Sequence, residues 1–326
     1  MKHLLITALA SFVSLAAVPV THAQTSWKLA TGYRAESFHT QNIAQFARDV
    51  EQVSAGALRI ELHPNNTLVK LADIRQAVEE GKVQAGETIM TSMVKEIPLA
   101  GADSIPFVVA SYKDAQRLWK LQRPGIEKHF AARGLTLLYT VPWPPQGLHS
   151  SKPIRSIGDF RGTQMRTYNQ TTQRIAELLG AKPVDVPMVD VGKALADGRM
   201  DNMITSALTG VENKVWGAIK HYYEINAWFP KNAVFVSTKA FDSLKPPVRA
   251  AVLKAASEAE TRGWAASQAL ATSATEELRQ NGIKIERIPA DLEHEIKRMG
   301  ERFSREWVRS VGNEANSIFV PYYVMP

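Results

Sequence analysis

The chain has 326 residues, 45% hydrophobic and 22% charged, with 39 Lys and Arg against 32 Asp and Glu and no cysteine. Lacking cysteine, it can form no disulfide, carry no thiol nucleophile and take no lipid on an N-terminal cysteine. Its basic residues are scattered among acids, which argues against nucleic acid as a partner, while the modest positive balance suits small anions.

Lys2 and His3 precede an uncharged run from Leu4 to Ala17, and Thr21-His22-Ala23 ends in a small residue. This pattern is that of a secretory signal peptide over residues 1–23, cleaved after Ala23. The mature chain then begins at Gln24, keeps 303 of the 326 residues and carries +6 instead of +7 after losing Lys2. Such a length exceeds the ~250–300 residues at which single cores stop growing, so two lobes are expected. No later apolar stretch is long enough to span a bilayer, and a soluble periplasmic protein is the expectation.

Strand and helix patterns alternate from there. Trp27–Gly32 reads as a strand, and Ile43, Phe46, Ala47, Val50 and Val53 keep helical spacing. Ala57–Leu62 is a second strand, followed by a turn at His63-Pro64-Asn65-Asn66. A helix over Leu71–Glu80 ends at Gly81, and Val83–Ile89 is a third strand. Downstream, Gln164–Thr167, Thr171–Leu179 and Pro183–Val186 repeat the strand, helix, strand order. The stretch Asp190–Met200 echoes Asp73–Val83 in its apolar, acidic, glycine and basic positions. The repetition predicts two similar α/β lobes, each with a mixed, mostly parallel sheet flanked by helices, and a ligand cleft between them.

Two segments read as crossings between lobes: the proline-rich Val141–Gly147, and Ile225–Thr238, interrupted at Pro230. Val248–Gln280 reads as one long helix or two collinear ones along both lobes, Ile283–Ile288 as a late strand and Asp291–Val311 as a terminal helix. The expected division is 24–143 plus 236–275 for one lobe and 144–235 plus 276–326 for the other.

Motifs for catalysis are few. The histidines after residue 23 are His39, His63, His129, His149, His221 and His294, and no two have metal-ligand spacing. There is no Gly-x-Ser-x-Gly elbow and no phosphate-binding glycine loop, and nothing calls for a cofactor or a metal. Arg166 stands out instead. It lies on a short strand, on the same face as Gln164 and Tyr168, just before a helix opening at Asn169. Asn169 reads as an N-cap. A guanidinium fork there suits a carboxylate, whose burial is costly unless it is paired and hydrogen-bonded.

The segments WKLATGYRAESFHTQNIAQFARDV, GALRIELHP, DIRQAVEEGKVQ and KPIRSIGDFRGTQMRTYNQ follow one another in this order. Together they resemble the DctP-type solute-binding proteins of tripartite ATP-independent periplasmic (TRAP) transporters, over essentially the whole chain after residue 23. The most specific part is Lys-Pro-Ile-x-Ser-Ile-x-Asp-Phe-Arg-Gly-x-x-Met-Arg. The resemblance implies two lobes closing on a small organic acid, which is handed to small and large permease subunits driven by an ion gradient. It places the family's carboxylate-binding arginine on Arg166 and a nearby asparagine on Asn169. Positions that are polar or aromatic in sialic-acid-binding members fall on Gln146, Ile89, Thr205 and Met188, which disfavours sialic acid and other ligands with many hydroxyls.

The expected cleft lining is therefore Arg166, Asn169, Gln146, Trp143, Tyr168, Met188, Thr205, Ile89, Tyr33 and Asn232, with Trp216 and Trp228 as further aromatic candidates. An aromatic rim around one arginine suits a compact or aromatic monocarboxylate, such as a 2-oxo or 2-hydroxy acid. The expected protein is a monomeric binding protein. The rival readings are a periplasmic lyase or hydrolase acting on organic acids and an input domain for a sensor kinase.

Overall fold

The computed structural model describes residues 24–324, so the signal-peptide segment 1–23 lies outside the described residues. In chain order the strands are β1 (Thr25–Thr31), β2 (Leu58–His63), β3 (Ala85–Ile89), β4 (Leu135–Pro142), β5 (Gln146–Ser150), β6 (Gln164–Thr167), β7 (Lys182–Asp185), β8 (Asn202–Ser206), β9 (His221–Tyr223), β10 (Lys231–Ser237) and β11 (Lys284–Glu286). They form two sheets, ordered β2-β1-β3-β10-β4 and β11-β9-β5-β8-β6-β7. The helices are α1 (Phe38–Val53), α2 (Ile74–Glu79), α3 (Tyr112–Ala131), α4 (Gln170–Leu179), α5 (Val191–Ala196), α6 (Ala207–Glu212), α7 (Thr238–Asp242), α8 (Pro246–Gln280), α9 (Ala290–Val311) and α10 (Asn313–Val324).

The repeat predicted from sequence is a repeat of structure. β1-α1-β2-α2-β3 and β6-α4-β7-α5-β8 each build a parallel trio with its first strand in the middle. In both copies a 3₁₀ turn, Leu71–Asp73 or Met188–Asp190, leads into the second short helix. The glycine two residues beyond each helix, Gly81 (φ 73°) or Gly198 (φ 65°), occupies the left-handed region, where a side chain would be strained. One antiparallel strand then borders each trio: β10 against β3, and β5 against β8. Both sheets are therefore mixed.

The two crossings run side by side. β4 pairs antiparallel with β10 in the first sheet, and β5 with β9 in the second. Between the sheets Trp143 N donates to Pro230 O (2.8 Å), Gln146 N to Trp228 O (3.0 Å) and Ala227 N to Gln146 O (2.8 Å). This double connection is the hinge. β10 lies wholly in the first sheet, so the boundary expected between 235 and 236 falls inside a strand.

Burial follows the periodicities. Ile43, Phe46 and Val50 of α1 pack with Trp27 and Leu29 of β1, whereas Val53 at the helix end is exposed. Val248–Gln280 is part of a single helix of 35 residues, about 52 Å long at 1.5 Å per residue. It packs on α1 and β4 in the first lobe and on α6 and β11 in the second. At Gly263 the approach is tightest: a Cβ there would lie 2.4 Å from Val141 Cγ2 and 2.9 Å from Asn42 Nδ2.

Two helices were not anticipated. α3 carries Pro124 in its interior, and its buried positions Ala115, Leu118, Trp119, Gln122, Ile126 and Phe130 still hold helical spacing. After Gly312 the chain continues as α10, which packs on α3 of the first lobe. The C-terminal segment expected in the second lobe thus returns to the first.

Candidate functional site

A cavity of about 520 Å³ lies between the lobes, with the hinge at its back. Eight of the ten predicted residues line it: Tyr33, Ile89, Trp143, Gln146, Arg166, Tyr168, Met188 and Thr205.

Arg166 is brought there by β6, which lies between β7 and β8 and pairs Arg166 with Val184 and Met203. The side chain is 4% exposed. Nε donates to Val186 O (2.9 Å), and the guanidinium carbon sits 4.7 Å from the centre of the Tyr168 ring. Among the described residues neither terminal nitrogen has a hydrogen-bond acceptor, and no carboxylate lies within ion-pair distance. Burial lowers the Arg166 pKa to about 10, with Tyr168, Tyr33 and Asp185 opposing the shift. The group still holds its proton at neutral pH. A buried, charged, half-bonded fork facing a cavity is a site for an anion.

The facing wall belongs to the first lobe. Trp143 Nε1 donates to Asn232 Oδ1 (2.9 Å), and Tyr33 OH donates to the same oxygen (3.4 Å). Asn232 Nδ2 donates to Glu87 Oε1 (2.8 Å), and Thr31 Oγ1 donates to Glu87 Oε2 (2.5 Å). Burial pushes the Glu87 pKa up to about 7, those two hydrogen bonds opposing, and drives His39, 3.4 Å away, well below the usual imidazole range.

Two predicted residues stand back from the cavity. Asn232 is the anchor just described, behind the aromatic wall. Asn169 caps α4: its Oδ1 accepts from Thr172 N (2.9 Å), while its Nδ2 donates across the cleft to Thr91 Oγ1 (2.6 Å). Trp228, buried at the hinge, and Trp216, half-buried under the second lobe, also lie outside the lining. The cavity has members that sequence reasoning missed, among them Asn66, Lys70, Ser92, Asp185, Asp190 and Thr209. The Asn65-Asn66 turn was visible, and both residues adopt left-handed φ (60° and 57°), but nothing local says that it folds over a cleft.

A second bridge closes the mouth. Arg34 of the first lobe donates through Nη1 to Glu212 O (3.2 Å) and through Nη2 to Val189 O (2.6 Å) and Asn213 Oδ1 (3.3 Å). Val189 itself lines the cavity, so Arg34 holds that wall against the first lobe.

Two hinged α/β lobes closed over an unpaired guanidinium define a small-anion binding protein. A sequence profile described as bacterial extracellular solute-binding protein, family 7 (DctP) matches residues 29–309. The chain belongs to this family, whose members are substrate-binding receptors of TRAP transporters. Among solved structures it is similar to DctP6 of Bordetella pertussis, an extracytoplasmic solute receptor binding pyroglutamic acid. The two are 37% identical with a TM-score of 0.90, over 92% of this chain and 99% of that one. It is also 35% identical, with a TM-score of 0.90 over 93% of this chain and 100% of the other, to a marine metagenome TRAP solute-binding protein specific for pyroglutamate. A solute-binding protein of Albidiferax ferrireducens is 23% identical over 256 residues, 77% of this chain and 74% of its own length. Among the described residues no helix is long and apolar enough to cross a membrane.

Proposed function

We propose that this TRAP receptor captures a compact monocarboxylate of the pyroglutamate type, with Arg166 pairing the carboxylate, and delivers it to the small and large subunits of a TRAP permease. The observation that carries this reading is the buried Arg166 fork, whose two terminal nitrogens face the cavity without an acceptor. Trp143, Tyr33, Ile89 and Met188 would wall the ligand, and Tyr168 would hold the guanidinium flat from below. The pyroglutamate-binding receptors are 35–37% identical over nearly the whole chain, which supports a ligand of that size.

The lobes close because the ligand reaches both, and so binds the closed form better than the open one. We further infer export to the periplasm with cleavage after Ala23, a monomeric state, and release of the ligand unaltered. Intact-mass measurement of periplasmic protein tests the cleavage point.

Calorimetry with pyroglutamate tests the assignment. Replacing Arg166 with alanine should abolish tight binding and leave the circular dichroism spectrum in place. Replacement by lysine should restore only part of the affinity, because an ammonium cannot form the paired bonds of the fork. Unchanged affinity in Arg166→Ala would refute it.

A further inference from the structure

Gln146 occupies the position that carries a second arginine in sialic-acid-binding members of the family, so what it offers a ligand must be worked out from its surroundings. Its backbone is pinned at the hinge on both sides, N–H to Trp228 O and C=O from Ala227 N. Its side chain is 3% exposed and lines the cavity. Nε2 donates to Pro144 O at 2.8 Å. A backbone carbonyl can only accept, so the end of the amide facing it must be the NH₂ group. The orientation is fixed by chemistry, and Oε1 is left over. Among the described residues nothing donates to Oε1. Gln146 therefore presents the cavity with an acceptor held in one place.

The opposite wall offers no competing donor. Trp143 Nε1 can only donate, so the end of Asn232 that faces it must be Oδ1, and Nδ2 is turned to Glu87. The indole N–H and the Tyr33 hydroxyl proton are both committed to that oxygen, away from the cavity. The cavity thus holds donors at one end, on Arg166, and a fixed acceptor on Gln146. Its other lining is largely apolar, at Ile89, Met188 and Leu71.

Resting on the reading that Arg166 takes the carboxylate, we propose that Gln146 Oε1 is a specificity determinant that accepts a hydrogen bond from a ligand N–H, so that the pocket selects carboxylates bearing a secondary amide, such as a five-membered lactam. An N–H satisfies the amide oxygen and brings no lone pair that needs a partner of its own. A hydroxyl would bring two into an apolar surrounding. A bare ketone or an ether oxygen would leave Oε1 unpaired, and an orphaned buried acceptor weakens binding. The lactam carbonyl would meet the Thr205 or Tyr168 hydroxyl, either of which can turn to donate.

The test compares pyroglutamate with its lactone isostere, 5-oxotetrahydrofuran-2-carboxylate of the same hand, by calorimetry on the intact protein. The two differ only in N–H against ring oxygen. The lactone should bind about ten- to hundredfold more weakly to the wild type. In Gln146→Met, of similar length and without the acceptor, the gap should close to within about threefold, because neither ligand then has a partner to lose. Equal affinities in the wild type would overturn the Gln146 assignment while leaving the carboxylate reading intact. A gap that persists undiminished in Gln146→Met would do the same. Binding of neither acid to the wild type would overturn both.

Discussion

Replacing Arg34 with alanine should weaken ligand binding although the residue lies outside the cavity lining. Its guanidinium makes three hydrogen bonds to the second lobe, at 3.2, 2.6 and 3.3 Å, and two of the acceptors are backbone carbonyls that stay in place in any variant. A hydrogen bond from a charged donor contributes ~1.5–3 kcal/mol when well formed. Two of these three are long, and the side chain is only half-buried, so the whole bridge stabilises the closed form by about 2 kcal/mol. Apparent affinity scales with the fraction of molecules able to close, so the loss corresponds to about a 30-fold weaker Kd. Calorimetry with pyroglutamate would read the affinity, and stopped-flow release should speed up by a similar factor. The urea midpoint of the ligand-free protein should hardly move, since Arg34 bridges lobes and does not build either core. Arg34→Lys should fall between, keeping the charge and losing the fork. An unchanged Kd together with an unchanged release rate would show that these bonds do not hold the lobes shut.

Other outcomes follow from packing and titration. Gly263→Ala should lower the unfolding free energy by about 1 kcal/mol or more in urea melts. The clash with Val141 and Asn42 outweighs the ~1 kcal/mol of helix propensity that alanine gains. Lys231, 0% exposed, pairs with Asp103 at 3.1 Å, and Lys231→Met should cost about 3–5 kcal/mol by leaving that carboxylate buried alone. Adding Asp103→Asn should recover part of it. Glu87 has a folded pKa of about 7, above its unfolded value near 4.5, so the folded state binds more protons between those pH values. Its contribution is fully present below about pH 4.5 and lost as pH rises to about 7, a swing of up to about 3 kcal/mol. Glu212, also raised to about 7 by burial, acts in the same direction. Urea melts of the wild type should therefore weaken from pH 5 to 7.5, and less steeply in Glu87→Gln.

Much of this molecule was legible along the chain because its units are local. The parallel trios rest on apolar periodicity and on glycines that end short helices, and both signals lie within about thirty residues. Arg166 was legible because a guanidinium on a strand entering a capped helix has few uses. What was hidden is non-local. Asn232 looked like a ligand group and is instead the anchor of Trp143 and Tyr33, a role set by Glu87, 145 positions earlier in the chain. Asn169 does cap its helix as read, but its free amide bridges to Thr91, 78 residues away. α3 was obscured by Pro124, a residue that normally breaks a helix and is tolerated here by packing against β4 and α10.

The placement of β10 between β3 and β4 bears on how the polypeptide matures. A chain emerging N-terminus first has made the four other strands of that sheet by Pro142, yet their central partner, Lys231–Ser237, follows some ninety residues later. Until then β3 and β4 expose unpaired edges, and no stable half can form ahead of the rest. Such a nascent product stays threadable through a narrow translocation pore, and cutting the gene between the halves would yield two fragments, neither of which could complete its own sheet.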